Sequence, residues 1–368
     1  MGKKLLFMFF VSVIFYQNAF AKKHFGNECC EEYCYSADED QEQIKYLSCN
    51  TAYQLVKGND YADQYMVPNC KPVRFWLLSR HGARLLEREE IEALPELVSL
   101  RDQIIENYEV KKSAPAKGAL CDQDLQLIKN WEVDKNITKD KDEYLTVQGW
   151  NDAKGLAEDY KKVYPELLGR EYDPNKFLFY HTGKQQMEAS MKAFMEGLFG
   201  PGVYNGISQF ARPKNDSFLI PMKYCRPWAA VVDNLKTSDE SAMNKFITSP
   251  LFAQMLADVS RRLGFDNPLT FKQVQLIYNL CAYEKAWFFD KPSPWCSVLT
   301  LEQVKIMEYE YDLFYQYRSG YGNDYNHHLP CEVMKDMLSR MAKDEEPRVT
   351  AYFSHSIFVQ MFATALGI

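Results

Sequence analysis

The residues best placed to do chemistry in this sequence are Arg80-His81-Gly82-Ala83-Arg84, an imidazole set between two guanidiniums. A neutral imidazole can attack phosphorus, and each guanidinium can fork onto phosphate oxygens. Gly82 lets the backbone come close to a ligand. The five residues follow the apolar run Phe75-Trp76-Leu77-Leu78-Ser79, which reads as a buried strand. Functional groups collect at the carboxyl ends of strands in open α/β sheets. A surface histidine in a basic turn would use the same residue types, but the strand-end placement favours a phosphate-handling site.

The elements that must position this segment can be read from apolar spacing. Arg74 to Ser79 is the first expected strand, Phe177 to Tyr180 the second and Val349 to Ser354 the last, followed by His355. The second strand runs through His181-Thr182-Gly183 into a helix carrying Met187, Met191, Phe194 and Leu198. Such a strand–turn–helix can aim amide groups at an anion; a plain connection is the alternative. Thr146 is a suitable N-cap for a helix with Trp150, Ala153, Ala157, Tyr160 and Tyr164 on one face. Lys111-Lys112-Ser113-Ala114-Pro115 reads as an exposed loop. From about Trp228 to Met341 the pattern is helical, with stripes through Phe252, Met255, Val259 and Leu263, through Val304, Met307, Tyr311 and Phe314, and through Val333, Met337 and Met341. His327-His328 fall in a polar loop of this block. The expected fold class is therefore α/β, a core sheet flanked by helices and interrupted by a mainly helical lobe. The expected division is a leader over 1–21, a cysteine-rich arm over 22–73, a core over 74–227 and 344–368, and the lobe over 228–343.

With 43 basic and 50 acidic residues the net charge is −7, which argues against nucleic-acid binding. An anionic substrate must be drawn by a local basic cleft. Lys3-Lys4, the apolar Leu5 to Tyr16 and Ala19-Phe20-Ala21 have the pattern of a secretory signal peptide. A signal anchor is the alternative, although the apolar run is short for a bilayer, so no transmembrane helix is expected in a mature chain starting at Lys22. All ten cysteines lie beyond that point, and an even number in a secretory chain implies disulfides whose pairing sequence cannot give. Cys30 and Cys34 have a ligand-like spacing, but no second close pair accompanies them, so neither a metal nor another cofactor is expected. Asn136-Ile137-Thr138 and Asn215-Asp216-Ser217 are N-glycosylation sequons.

Arg80-His81-Gly82-x-Arg84 and the strand-end His355 resemble branch-2 histidine phosphatases, the histidine acid phosphatase and phytase group. Further segments resemble the animal multiple inositol polyphosphate phosphatases. They are Cys29-Cys30-Glu31-Glu32-Tyr33-Cys34-Tyr35, Asn50-Thr51-Ala52-Tyr53 and Leu145-Thr146-x-x-Gly149-x-x-Asp152. Ser190-x-x-x-Phe194-x-x-Gly197-Leu198-Phe199, Pro294-Trp295-Cys296, Gly320-Tyr321-Gly322 and Leu329-Pro330-Cys331 complete the likeness. The resemblance implies a histidine-phosphatase-like core and a secreted or endoplasmic-reticulum-lumen phosphomonoesterase acting on inositol polyphosphates. His81 would become phosphohistidine, while Arg80, Arg84, a further arginine and His355 would hold the phosphoryl oxygens. An acid after the second histidine would protonate the leaving alcohol.

Three departures bear on that mechanism. Gln186 stands where the further arginine belongs, with Met187 after it, and Ile357 stands where the acid belongs. Lys184 offers a charge, but residues two apart do not share a helix face; Glu87 and Glu188 are carboxylates with no evident placement. These losses leave open a phosphatase-like protein that binds phosphorylated ligands and turns them over poorly. Family members also continue beyond the position of Ile368, which predicts that Phe358, Met361 and Phe362 are partly uncovered. The apolar stretch Ile357 to Ile368 superficially resembles an anchor tail, but it lacks a polar spacer, and a core-packed helix is expected.

Overall fold

A computed structural model describes residues 33–39, 41–56, 69–206 and 216–368. The expected leader, Cys29, Cys30 and Asn215 lie outside the described residues. Three parallel strands form the described sheet: β1 (Phe75–Arg80), β2 (Phe177–His181) and β3 (Val349–Ser354), in the spatial order β1-β3-β2. The central β3 is buried along its whole length, as a parallel strand covered on both faces must be. Register places Arg80 beside Ser354 and His181 beside Phe353. The residues that follow β1 and β3, His81 and His355, therefore leave the sheet side by side, although 274 positions separate them in sequence.

The helices of nine or more residues are α1 (Arg88–Glu106), α2 (Asp122–Asn130), α3 (Val147–Val163), α4 (Gln185–Phe199) and α5 (Arg226–Thr237), then α6 (Pro250–Arg262), α7 (Phe271–Trp287), α8 (Leu301–Arg318), α9 (Cys331–Ala342) and α10 (Ser356–Leu366). The expected N-cap at Thr146 is present, its hydroxyl accepting from the Gly149 amide at 3.1 Å. Helices α3 and α4 cover one sheet face through Ala157, Tyr160, Met191, Phe194 and Leu198 against Phe177, Phe179 and Phe353. Trp228 and Val232 of α5, Val333 and Met337 of α9, and α10 cover the other face against Leu78 and Tyr352.

Phe358, Met361 and Phe362 are fully covered in this second layer, contrary to the expectation from sequence. Phe362 stacks on Trp76 at 5.3 Å between ring centroids. Burial of each such side chain contributes roughly 1.5–3 kcal/mol, and α5 and α9 supply the cover. Among the described residues no helix is long and apolar enough to cross a membrane.

The third apolar cluster joins α1 and α2 to α6, α7 and α8. The packing thus groups residues 88–131 with much of the expected lobe, while α5 and α9 of that lobe pack on the sheet. The helix α1 went unread in the sequence; the expected loop at 111–115 begins only where an extension of α1, Asn107–Lys111, ends. The N-terminal arm is fastened to this cluster by the disulfide Cys34–Cys121 and by buried Asp124, which accepts from the Tyr35 and Ser36 amides at 2.9 Å each. Arg262, also buried, lies 3.8 Å from the Asp124 carboxylate. A second disulfide joins Cys281 and Cys296.

Candidate active site

His81 leaves β1 with its amide 3.3 Å from the Ser354 carbonyl and its ring buried. Its Nδ1 lies 2.8 Å from the Gly82 carbonyl. A carbonyl can only accept, so Nδ1 carries the proton and Nε2 keeps its lone pair. Burial, reinforced by the Arg80 and Arg84 charges, pushes the His81 pKa well below the ordinary imidazole value. A neutral imidazole is therefore the resting form.

His355 lies across from it, with ring centroids 6.2 Å apart and planes nearly perpendicular. Its Nε2 is buried and has no hydrogen-bond partner among the described residues. Burial first, then Lys184 and Lys223, bring its pKa down to about 4. Lys223 reaches the site from the segment after Asp216, which is tied to the sheet where the Ser354 hydroxyl donates to the Leu219 carbonyl at 2.8 Å.

The two arginines are held from different directions. Arg80 donates to the Cys49 carbonyl at 2.5 Å and to the Asn50 side-chain oxygen at 3.5 Å, so the N-terminal arm orients it. Its Nε is buried without a partner among the described residues. Arg84 pairs with Glu87 at 2.7 Å and donates to the Leu85 carbonyl at 2.9 Å, with Tyr283 beneath its guanidinium. The close approach that Gly82 permits is to the backbone of Gly149 at the start of α3. The Gly82 amide donates to Ser190 Oγ at 3.0 Å, and that hydroxyl donates to the Gln186 carbonyl at 2.7 Å. Gln186 itself is buried, and its side-chain Nε2 has no partner among the described residues.

Other residues singled out in the sequence have partners of their own. His181 is buried with Nδ1 2.9 Å from the Thr182 carbonyl and faces Glu188 and Lys192 on α4. Glu188 is paired with Lys192 at 2.7 Å, and Glu87 caps α1 while holding Arg84. His327 packs edge-on to Tyr321 in the short turn Tyr325–His328. The Ile357 side chain packs among the apolar residues of the α5–α9–α10 face. Lys184 does bring charge to the site, because it is the N-cap of α4 and free of the helix-face restriction that counted against it. Glu143, which the sequence did not single out, pairs with Lys184 and feels Arg84 and His355. Its one sequence signal is its place two residues before Leu145-Thr146. Cys34, Cys121 and Asp124 lie together, but the two sulfurs are bonded to each other and the carboxylate is taken up by the arm amides.

Residues 75–368 match the family model of the histidine phosphatase superfamily (branch 2). Multiple inositol polyphosphate phosphatase 1 of Drosophila melanogaster is 41% identical over 339 residues, covering 92% of this chain and 71% of that protein. The protein of the same name from Gallus gallus is 26% identical, and the match spans 61% of its length. Among solved structures, the phytase from D. castellii superposes with a TM-score of 0.67 at 18% identity, covering 88% of this chain and 68% of that one. The Bifidobacterium longum multiple inositol polyphosphate phosphatase in complex with inositol hexasulfate gives 0.59 at 13% identity, covering 88% and 80%. Matched along its core and carrying two strand-end histidines on adjacent parallel strands, this chain belongs to branch 2 of the histidine phosphatase superfamily.

Proposed function

We propose that this phosphatase hydrolyses inositol polyphosphates in the secretory pathway through a phosphohistidine at His81. The observation that carries the reading is the proton-bearing Nδ1 of His81, held by the Gly82 carbonyl, with Nε2 left as nucleophile opposite His355. In the first half-reaction Nε2 bonds to phosphorus and the ester P–O bond breaks. Arg80, Arg84, His355 and the Gln186 amide hold the phosphoryl oxygens. In the second, water takes the phosphoryl group and the imidazole is restored. The substrate class comes from the fly relative and from the bacterial relative with inositol hexasulfate. The two disulfides and the exposed Asn136 sequon support a secreted or lumenal glycoprotein, with Asn215 as a second glycosylation site.

Rapid quenching with a radiolabelled aryl phosphate tests this. An alkali-stable, acid-labile phosphoprotein should form in the parent chain and be absent from H81A. A second reading, a phosphorylated-ligand binder with impaired turnover, is favoured by the apolar packing of Ile357 and by glutamine at 186. Phosphate binding at Arg80 and Arg84 without any phosphohistidine would establish that reading instead.

A further inference from the structure

The phosphatase reading needs a proton for the leaving alkoxide, and no carboxylate stands at position 357. The structure brings a different one to the site. The segment Glu143–Thr146 runs antiparallel beside the His81 loop: the Glu143 amide donates to the Leu86 carbonyl at 2.9 Å, the Leu85 amide to the Tyr144 carbonyl at 2.8 Å, and the Thr146 amide to the Ala83 carbonyl at 2.9 Å. Arg84 and Leu145 form an antiparallel bridge within it. Glu143 sits there with φ of +60°, in the left-handed region. A non-glycine residue at that φ is uncommon, and such outliers gather at functional sites. Its side chain is only 21% exposed and is paired with Lys184.

We propose that Glu143 is the general acid that protonates the leaving alcohol and then the general base that activates water. This rests on the reading of His81 as nucleophile. As His81 Nε2 bonds to phosphorus, the ester P–O bond breaks and its electron pair takes the proton from the Glu143 carboxyl. The resulting carboxylate then removes a proton from water. The water oxygen attacks phosphorus, the P–N bond breaks, its electron pair returns to Nε2 and phosphate departs. Glu143 ends protonated; it gives that proton up beside Lys184 once phosphate leaves and regains one from solvent when the next substrate binds.

The other carboxylates nearby have different partners. Glu87 caps α1 and holds Arg84; Glu188 lies with His181 and Lys192. Glu90 accepts from the Glu87 amide at 2.9 Å and from Asn279 at 3.1 Å, and it hydrogen-bonds Tyr283. The groups facing Glu143 are Lys184, Arg84 and His355. Burial alone would raise its pKa, but the Lys184 hydrogen bond and the Arg84 charge outweigh that and hold it below the ordinary carboxyl value. A polyphosphorylated substrate offers Lys184 another anion. Glu143 is then left beside a phosphoryl dianion, and like charge raises a carboxyl's affinity for the proton.

The test compares the parent, E143Q, E143G and H81A on inositol hexakisphosphate and on p-nitrophenyl phosphate. Glycine suits the left-handed backbone at 143, so E143G separates loss of the carboxylate from misfolding. Both Glu143 variants should lose about 10²–10⁴-fold in kcat on the inositol phosphate, with KM little changed. The aryl phosphate, whose leaving group departs without a proton, should lose less than about tenfold. The alkaline limb of kcat against pH should vanish in both variants. Equal losses on the two substrates, no loss on either, or a parent that turns over only the aryl phosphate would each overturn the proposal. Turnover retained by H81A would instead overturn the nucleophile assignment on which it rests.

Discussion

Gly82 and Gly149 meet backbone to backbone: a β-carbon on Gly82 would lie 2.1 Å from the Gly149 carbonyl oxygen, and one on Gly149 would lie 2.1 Å from that of Ala83. The loop bearing His81 and the first turn of α3 thus meet in a single contact. Gly82→Ala and Gly149→Ala should each destabilise the protein by about 1–3 kcal/mol. The double variant should cost less than the sum, because both changes force open the same gap. Urea unfolding of the three variants measures this. Additive effects would mean that the two backbones adjust independently.

Gln186 carries a buried Nε2 without a partner among the described residues. An orphaned buried donor costs roughly 1–3 kcal/mol, and an apolar replacement of similar shape removes that cost. Gln186→Met should therefore raise the unfolding midpoint slightly while weakening phosphate affinity several-fold. Isothermal titration with inorganic phosphate, paired with thermal melts, checks both signs. Unchanged affinity would remove Gln186 from the phosphate site.

His355 is held neutral in the native protein down to a pKa of about 4, whereas an unfolded imidazole titrates near its ordinary value of about 6.5. Between those values the unfolded chain binds more protons, so stability rises with pH across that window and is lost as pH falls through it. At about 1.36 kcal/mol per pKa unit, this one group contributes on the order of 2–3 kcal/mol to the loss. His355→Gln should flatten the dependence between pH 6.5 and 4 relative to the parent chain, read from urea midpoints. A parallel curve would place the acid sensitivity in other groups; His81, also depressed, is the first to try.

The Cys34–Cys121 bridge closes a loop with a sequence separation of 87. Loop-closure entropy gives such a bridge about 4–5 kcal/mol. Replacing both cysteines by serine should lower stability by up to that amount and loosen the arm that supplies the Cys49 carbonyl to Arg80. Phosphate affinity should therefore fall along with stability. A stability loss with undiminished affinity would show that Arg80 is oriented without the arm.

The strand before Arg80-His81-Gly82-Ala83-Arg84, the last strand and the N-cap at Thr146 were legible because each is a local pattern. An apolar run ending in charge reads as a strand end, and a hydroxyl before a helical stripe reads as a cap. Helix α1 was missed although Ile91, Leu94, Leu97 and Ile104 are all buried along it. Pro95 inside it and a glutamate serving as its cap hid the pattern, since proline ordinarily ends a helix. The cover over Phe358, Met361 and Phe362 could not be read, because it comes from α5, more than a hundred positions away, and from α9 on the far side of β3.

By itself the sequence determined that an imidazole between two guanidiniums stands at a strand end, because residue type sets chemistry and spacing sets the local element. Only the tertiary structure decided which groups share the site. Parallel register carries His355 to His81, and Ser354 Oγ anchors the loop that brings in Lys223. An antiparallel strip of backbone places Glu143 against Lys184 and Arg84, while Ile357 turns into the apolar layer. Those outcomes depend on packing between segments from about forty to more than two hundred residues apart, and no local pattern of residues encodes that.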